Sequence, residues 1–388
     1  MKKLFFVLLG FLFVFALPAQ DSVAVKKYRV GIFANLYLDS SFTGETYRFA
    51  NQMPRHLLSG LDFVQGALLA VDSLSTNKNL EVVVYDLRSA NQSLPELYKR
   101  TSFDSLDLII GAVSGNEYMT LAEIAQMKNI PFVSATFPND GGVTNNPFTI
   151  IVNSTLSVHC EALYNFVMRH DPTANLVYVR RKGQQEDRLA ASFNESNKGS
   201  NSNQLLKWKT VMLGDGFTTA DLTPHLDSTK TNLIICGSLD ESFGLRLVNN
   251  ANSLRKKYSF ELVGMPTWDA IKDLSKPDYK DLPIFYSTTF YNTGTVAYGN
   301  FTKSFTELTN GRPSDVAYKG FELSWHFINL LLKYDDELMQ HLNERNFRSF
   351  TEYDFKPIFN KTSGRPNYFE NKRVYILKRS NNLVSRMN

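Results

Sequence analysis

The chain has 388 residues and a mass of 44.1 kDa, with 43% hydrophobic and 21% charged residues. That is enough apolar material for sizeable cores, it excludes a compositionally disordered chain, and at roughly 150 residues per domain it predicts two domains. The net charge of +4 comes from 42 basic and 38 acidic residues spread along the sequence, without the basic block that would point to nucleic acid or an anionic lipid surface as a partner.

The first segment reads as a leader. Lys2 and Lys3 precede an apolar run at 4–17 that is broken only by Gly10, and Pro18, Ala19 and Gln20 place a small residue where a peptidase cuts. The expectation is a signal peptide over 1–19, cleaved near Ala19. The run is short for a bilayer span and no second run of about 18 apolar residues follows, so the sequence predicts no stable membrane anchor. No cysteine ends the apolar run, which removes a lipid-anchored form. The two cysteines are Cys160 and Cys236. Cys236 sits in an apolar strand-like run and Cys160 in a helical pattern, which suits buried thiols, while export leaves one disulfide open.

In chain order, strands are predicted at 28–33, 80–85, 106–110, 130–133 and 148–152, with helices at 58–74, 94–99 and 118–127 between them. The rhythm repeats. Helices at 156–168, 186–193, 222–226 and 243–254 alternate with strands at 176–179, 205–212, 233–235, 260–263 and 284–286. The polar stretch 194–203 is expected to be a surface loop. Residues 300–333 are mostly helical in pattern, and 373–377 closes as a strand. Strands alternating with helix-length segments predict parallel sheets with crossover helices, in two successive α/β units.

Catalytic signatures are missing from the sequence: no nucleophile elbow, zinc-protease helix, phosphate-cradling loop or dinucleotide fingerprint occurs. The six histidines, at 56, 159, 170, 225, 326 and 341, are scattered. Two polar turns follow neighbouring strands instead. Gly111 to Asn116 leads into a helix, so Ser114 is either an N-cap or part of an anion site at a helix N-terminus. The turn from Ser134 to Asp140 lies at the same carboxyl edge, where open α/β sheets bind ligands and where Pro, Asn and Asp also serve ordinary turns.

These runs carry a resemblance. Residues 108–115 (LIIGAVSG), 121–125 (LAEIA) and 129–136 (NIPFVSAT) resemble the signature of type I periplasmic binding proteins, the branched-chain amino-acid-binding group in particular. The segments 37–39 (YLD), 138–140 (PND), 265–269 (MPTWD), 312–315 (RPSD) and 368–372 (YFENK) are similar to a Gram-negative branch of that family. The resemblance covers essentially the whole chain after the leader, and the order of its short motifs is more specific than any one of them.

The resemblance implies a two-lobed periplasmic solute receptor, not an enzyme and without a cofactor. It would consist of two Rossmann-like lobes with parallel sheets joined by a three-crossing hinge, closing as a monomer on a small polar, amino-acid-like or carboxylate-bearing ligand and serving an ABC transporter permease or a sensor. Lobe 1 would be 28–151 with 290–345, and lobe 2 would be 152–289 with 346–386. Ser114, Ala135 and Thr136 would hold a ligand carboxylate, Tyr37 would close one side, and the second lobe would contribute Gln185, Ser238, Asp240, Thr267 and Asp269. Two departures stand out. Thr267 occupies the place of the Glu that pairs with a ligand ammonium, with Asp269 two positions on, and 180–186 (RRKGQQE) replaces an aromatic residue. Arg180 to Lys182 would either select an anionic ligand or be neutralised by Glu186 and Asp187, and Trp268 either stacks on a ligand or covers the core. A receptor-like interaction module that has lost its ligand, and an exported hydrolase on the same sheet, are the alternatives.

Overall fold

The computed structural model describes residues 26–50, 52–74, 79–199, 205–291, 294–381 and 383–388. The expected leader lies outside the described residues.

The first part of the chain alternates strand and helix: β1 (Tyr28–Ala34), α1 (Arg55–Ser73), β2 (Leu80–Asp86), β3 (Leu108–Ala112), α2 (Gly115–Lys128), β4 (Phe132–Ser134) and β5 (Thr149–Ile151). The second repeats the alternation with α3 (Leu156–His170), β6 (Asn175–Arg180), α4 (Gln184–Gly199), β7 (Lys209–Met212), β8 (Thr231–Cys236), α5 (Glu241–Leu254), β9 (Ser259–Gly264) and β10 (Ile284–Thr288). Then come α6 (Val296–Thr309), α7 (Asp315–Tyr334), β11 (Phe355–Phe359), β12 (Pro366–Asn371), β13 (Tyr375–Ser380) and β14 (Leu383–Arg386).

Two seven-stranded sheets result, ordered β11-β12-β5-β4-β3-β1-β2 and β14-β13-β10-β9-β8-β6-β7. Each is parallel through its centre and antiparallel at one edge. The central strands are apolar without alternation because helices cover both faces. In the first sheet Val30 and Ile32 face α1 and α7, while Phe33 and Ile109 face α2. In the second, Val177 and Ile234 face α5, while Tyr178 and Ile235 face α3 and α4.

Two expectations are corrected. The segment 346–386 does not travel with the second lobe as a unit. Phe369 and Glu370 of β12 pair in parallel with Ile150 and Ile151, so β11 and β12 complete the first sheet, and only β13 and β14 join the second, against β10. The stretch 194–203 is not a loop where it is described, because α4 runs on to Gly199. Its polar residues serve the helix: Ser196 Oγ donates to the Ser192 carbonyl at 3.0 Å, and Asn197 Oδ1 accepts from Tyr164 Oη at 2.7 Å and from the Leu206 N–H at 3.0 Å.

The chain passes between the sheets after Ile151, after Thr288 and after Asn371, so three crossings join the lobes. They are bonded to one another. Ser154 Oγ donates to the Asn371 carbonyl at 2.6 Å, Asn371 Nδ2 to the Val152 carbonyl at 3.2 Å, and Thr289 Oγ1 to Asn153 Oδ1 at 2.9 Å. Cys160 and Cys236 are both buried and free. They pack in clusters on opposite faces of the second sheet, which leaves no path for a bridge.

Candidate functional site

Parallel strands deliver their following turns to one edge, and the carboxyl edge of the first sheet collects Tyr37 after β1, Ser114 after β3, and Ala135 and Thr136 after β4. The first of these turns is held by a residue the sequence reading missed. Asp86 is 1% exposed and accepts the backbone N–H groups of Leu36 at 2.9 Å, Tyr37 at 3.2 Å and Leu38 at 2.8 Å. Those bonds offset the cost of placing Tyr37 at φ 58°, a left-handed conformation unfavourable for a residue with a Cβ. The Tyr37 ring lies edge-on to His56 at 5.1 Å.

Ser114 is the N-cap position of α2, yet its hydroxyl makes no cap bond and is exposed. Gly115 follows at φ +58°, a region glycine enters freely. The helix start therefore keeps N–H groups and a hydroxyl available at the sheet edge. Ala135 does not fit its expected part: it is 0% exposed and its N–H is spent on the Gly111 carbonyl at 2.9 Å. Thr136 is half-buried, and its carbonyl accepts from Asn153 Nδ2 at 2.9 Å, which ties this turn to the hinge.

The second lobe divides its expected residues between two places. Ser238 is fully buried and donates to Glu186 Oε1 at 2.8 Å; Asp240 caps α5 by accepting the Phe243 N–H at 2.7 Å. Arg181 pairs with Glu186 at 2.7 Å, Asp240 at 3.3 Å and Asp215 at 3.4 Å. Burial raises the Glu186 carboxyl, and the bonds from Arg181 and Ser238 outweigh it, holding it below the usual carboxylate range. Arg180 pairs with Asp187 in turn. The basic run is thus neutralised by its own neighbours, and Gln185 stands exposed beside it. Trp268 is 1% exposed and packs against Gly244 and Gly264, so it belongs to the core.

Thr267 and Asp269 lie elsewhere, beside the hinge. Asp269 is open to solvent but enclosed by protein mass, which raises its carboxyl, while the hydroxyls of Tyr286 and Thr288 act against that rise. At the start of α7 the Asp315 carboxyl is raised by desolvation and then by the charge of Asp269. The start of α7 is fixed by its cap at Ser314 and by close packing on α1: a Cβ at Gly320 would come within 2.0 Å of the Phe63 carbonyl oxygen. One turn beyond Asp315, Lys319 is half-buried, and desolvation lowers its ammonium. Lys319 also bears on His159, whose Nδ1 bonds Ser287 Oγ at 2.9 Å at the hinge.

Thr136, Asn153 and Thr289 are thus linked by hydrogen bonds at the hinge, and Ser287 pairs there with His159. Asn153, His159, Ser287, Asp315 and Lys319 were missed by sequence reasoning. A signal existed for the last two, since Asp315 opens a helix directly after Pro313 and Ser314, and Lys319 interrupts its apolar stripe. A separate groove of about 1010 Å³ runs along the hinge between Arg169, Arg348, Tyr353 and Arg373, and none of the expected site residues lines it. The Ser287–His159 pair is buried, with the imidazole lowered to about 4 by burial, so it offers no accessible nucleophile.

No protein-family model matches the chain, and no curated protein sequence does. Solved structures do. A provisionally assigned branched-chain amino acid ABC transporter from Rhodospirillum rubrum superposes with a TM-score of 0.67 at 12% identity, covering 93% of this chain and 100% of that one. A branched-chain amino acid ABC transporter periplasmic ligand-binding protein from Burkholderia xenovorans gives 0.63 at 11% identity, covering 93% and 95%. The chain has the type I periplasmic binding protein fold. A third structure of this fold, an ABC transporter substrate-binding protein from Desulfitobacterium hafniense in complex with leucine, gives 0.56 at 14% identity, covering 93% and 100%. The type I fold explains why α6 and α7, which follow β10, return to pack on α1 of the first lobe. Among the described residues no helix is long and apolar enough to cross a membrane.

Proposed function

We propose that this protein is a periplasmic solute receptor that closes its two lobes on a small polar ligand, amino-acid-like or carboxylate-bearing. What supports this reading is that Tyr37, Ser114 and Thr136 follow strands that end at one sheet edge, beside a hinge of three bonded crossings. Ser114 and the first N–H groups of α2 would receive a carboxylate, because a helix start presents unpaired donors and a partial positive charge. Asp269 would receive a cationic or hydroxyl group in the place that the sequence assigns to Thr267. The receptor would be exported by the leader at 1–19, act as a monomer without a cofactor, and present its ligand to an ABC-type permease or a sensor. Closure needs no covalent step, only a ligand that binds the closed form more tightly than the open one.

A thermal-shift screen of the mature protein against amino acids, dicarboxylates, short peptides, nucleosides and sugars tests the reading. A ligand at a hundredfold excess over its Kd stabilises the fold by about 2.7 kcal/mol. The expected result is a saturable shift that Ser114→Ala and Thr136→Ala reduce. A flat response across the panel would overturn it in favour of an interaction module of the cell envelope.

A further inference from the structure

The groove of about 1010 Å³ along the hinge has walls from both lobes. One wall is a single face of α3, from Val158 to Arg169 at three- and four-residue spacing, and His170 ties the end of that helix to Glu261 of β9 at 2.8 Å. The other is the segment 343–356, which moves with the first sheet, because Asn343 accepts the Phe355 N–H at 2.7 Å and donates to its carbonyl at 2.9 Å. The lining charges do not balance. Three of its cations are spent on carboxylates: Arg373 on Glu352 at 2.9 Å, Lys356 on Asp354 at 3.0 Å and Lys372 on Glu370 at 2.8 Å. Arg169, Arg345 and Arg348 also line the groove, and among the described residues no carboxylate lies within ion-pair distance of them; Glu161 is the remaining lining carboxylate. Arg348 is held in place by donating from Nη2 to the carbonyls of Asn343 at 2.9 Å and Tyr353 at 3.0 Å, and its Nε is buried without a hydrogen-bond partner. Desolvation and then the charge of Arg345 weigh against its cationic form, so two like charges stand close together at this wall.

We propose that this groove is a second binding site, separate from the cleft, for an organic polyanion with at least two carboxylate or phosphate groups, held between Arg169 of one lobe and Arg345 and Arg348 of the other. A concave surface lined by one sign of charge concentrates the opposite ion, and guanidinium forks fit carboxylate and phosphate oxygens. The size of the cavity and the presence of Phe166 and Ile376 in its lining call for an organic body carrying the charges, larger than a free phosphate. An occupant that spans both walls would favour one separation of the lobes, and so would be coupled to any ligand that closes them.

Isothermal titration of the protein with citrate, ATP and inorganic phosphate at one fixed ionic strength tests this. Citrate or ATP is expected to bind at least tenfold more tightly than inorganic phosphate, and which of the two binds tells a carboxylate ligand from a phosphorylated one. Arg169→Gln and Arg345→Gln, both at exposed side chains, should each weaken that binding tenfold or more, with melting curves to confirm the fold. Lys303→Gln, exposed and outside the groove, and Ser114→Ala, at the cleft, should leave it unchanged. The proposal is overturned if neither citrate nor ATP binds, if Lys303→Gln weakens binding as much as the arginine variants do, or if Ser114→Ala abolishes it. An effect of only one of the two arginines would overturn the bridging of the lobes. The cleft reading is tested separately by its own screen and survives each of these failures.

Discussion

His159 at the hinge and Glu322 on α7 set opposite pH dependences, and both signs follow from burial. Burial lowers the His159 imidazole to about 4, so between that value and the ordinary 6.5 the folded protein binds fewer protons than the unfolded chain. Stability is therefore lost as pH falls through that window, by up to about 3 kcal/mol from this residue. Burial raises the Glu322 carboxyl to about 7, so its contribution is present at low pH and is lost as pH rises from about 4.5 to 7. Urea unfolding at pH 4.5, 5.5, 6.5 and 7.5 checks both. Relative to wild type, His159→Gln should gain stability toward pH 4.5 and Glu322→Gln toward pH 7.5; an unchanged difference from wild type at all four values would refute the assignment. At the same scale, Asp86→Ala strands the N–H groups that hold Tyr37 in its turn and should cost about 2–3 kcal/mol, read as a drop in the urea midpoint. The cysteines were left open by sequence and closed by structure. Burial pushes both thiols up to about 12, so neither should react with a thiol reagent until the chain unfolds.

At the scale of elements, α1 and α7 meet through glycines. A Cβ at Gly66 would come within 2.0 Å of the Ala317 carbonyl oxygen, and one at Gly320 equally close to that of Phe63. Gly66→Ala and Gly320→Ala should each cost about 1–3 kcal/mol by forcing the helices apart. Elements were legible where the apolar period was clear: the central strands of both sheets and helices α1, α2, α3, α5 and α7 fall close to where the pattern places them. The strands β11 and β12 were not legible. Their runs 355–359 and 366–371 carry Lys, Pro, Asn and Glu, because β11 is an edge strand and Glu370 and Asn371 turn inward to bond the hinge. The end of α4 was misread for a related reason, since Ser196 and Asn197 look like loop residues and spend their polar groups on the helix and on Tyr164.

For the molecule as a whole, the last strands are divided between the lobes, and this makes the final segment structurally decisive. β13 covers the edge of β10, with Tyr375, Ile376 and Leu377 buried against the second core. A chain ending at Lys372 should keep the first sheet whole and expose the edge Ile284–Thr288, a ready template for intermolecular pairing. The expected outcome is loss of soluble, cooperatively melting protein, checked by sedimentation and calorimetry. If the truncated chain melts as the full one does, the second sheet does not depend on β13. Hinge closure is a whole-molecule event as well. If the protein is the proposed receptor, small-angle scattering should show a smaller radius of gyration at a saturating concentration of a ligand found in the thermal-shift screen.

The sequence by itself determined the α/β alternation, the two-unit organisation and the turns that carry Tyr37, Ser114 and Thr136, because these depend on local periodicity and on residues that lie close in the chain. Which turns come together is set by packing across the hinge. Ser238 and Asp240 look like cleft residues in sequence and are consumed by Glu186 and by Arg181, while Thr136, Asn153 and Thr289 are bonded together from three separate segments. The physical reason is that a charge's role depends on which other charges reach it and how much water remains, and both are set by packing across the hinge.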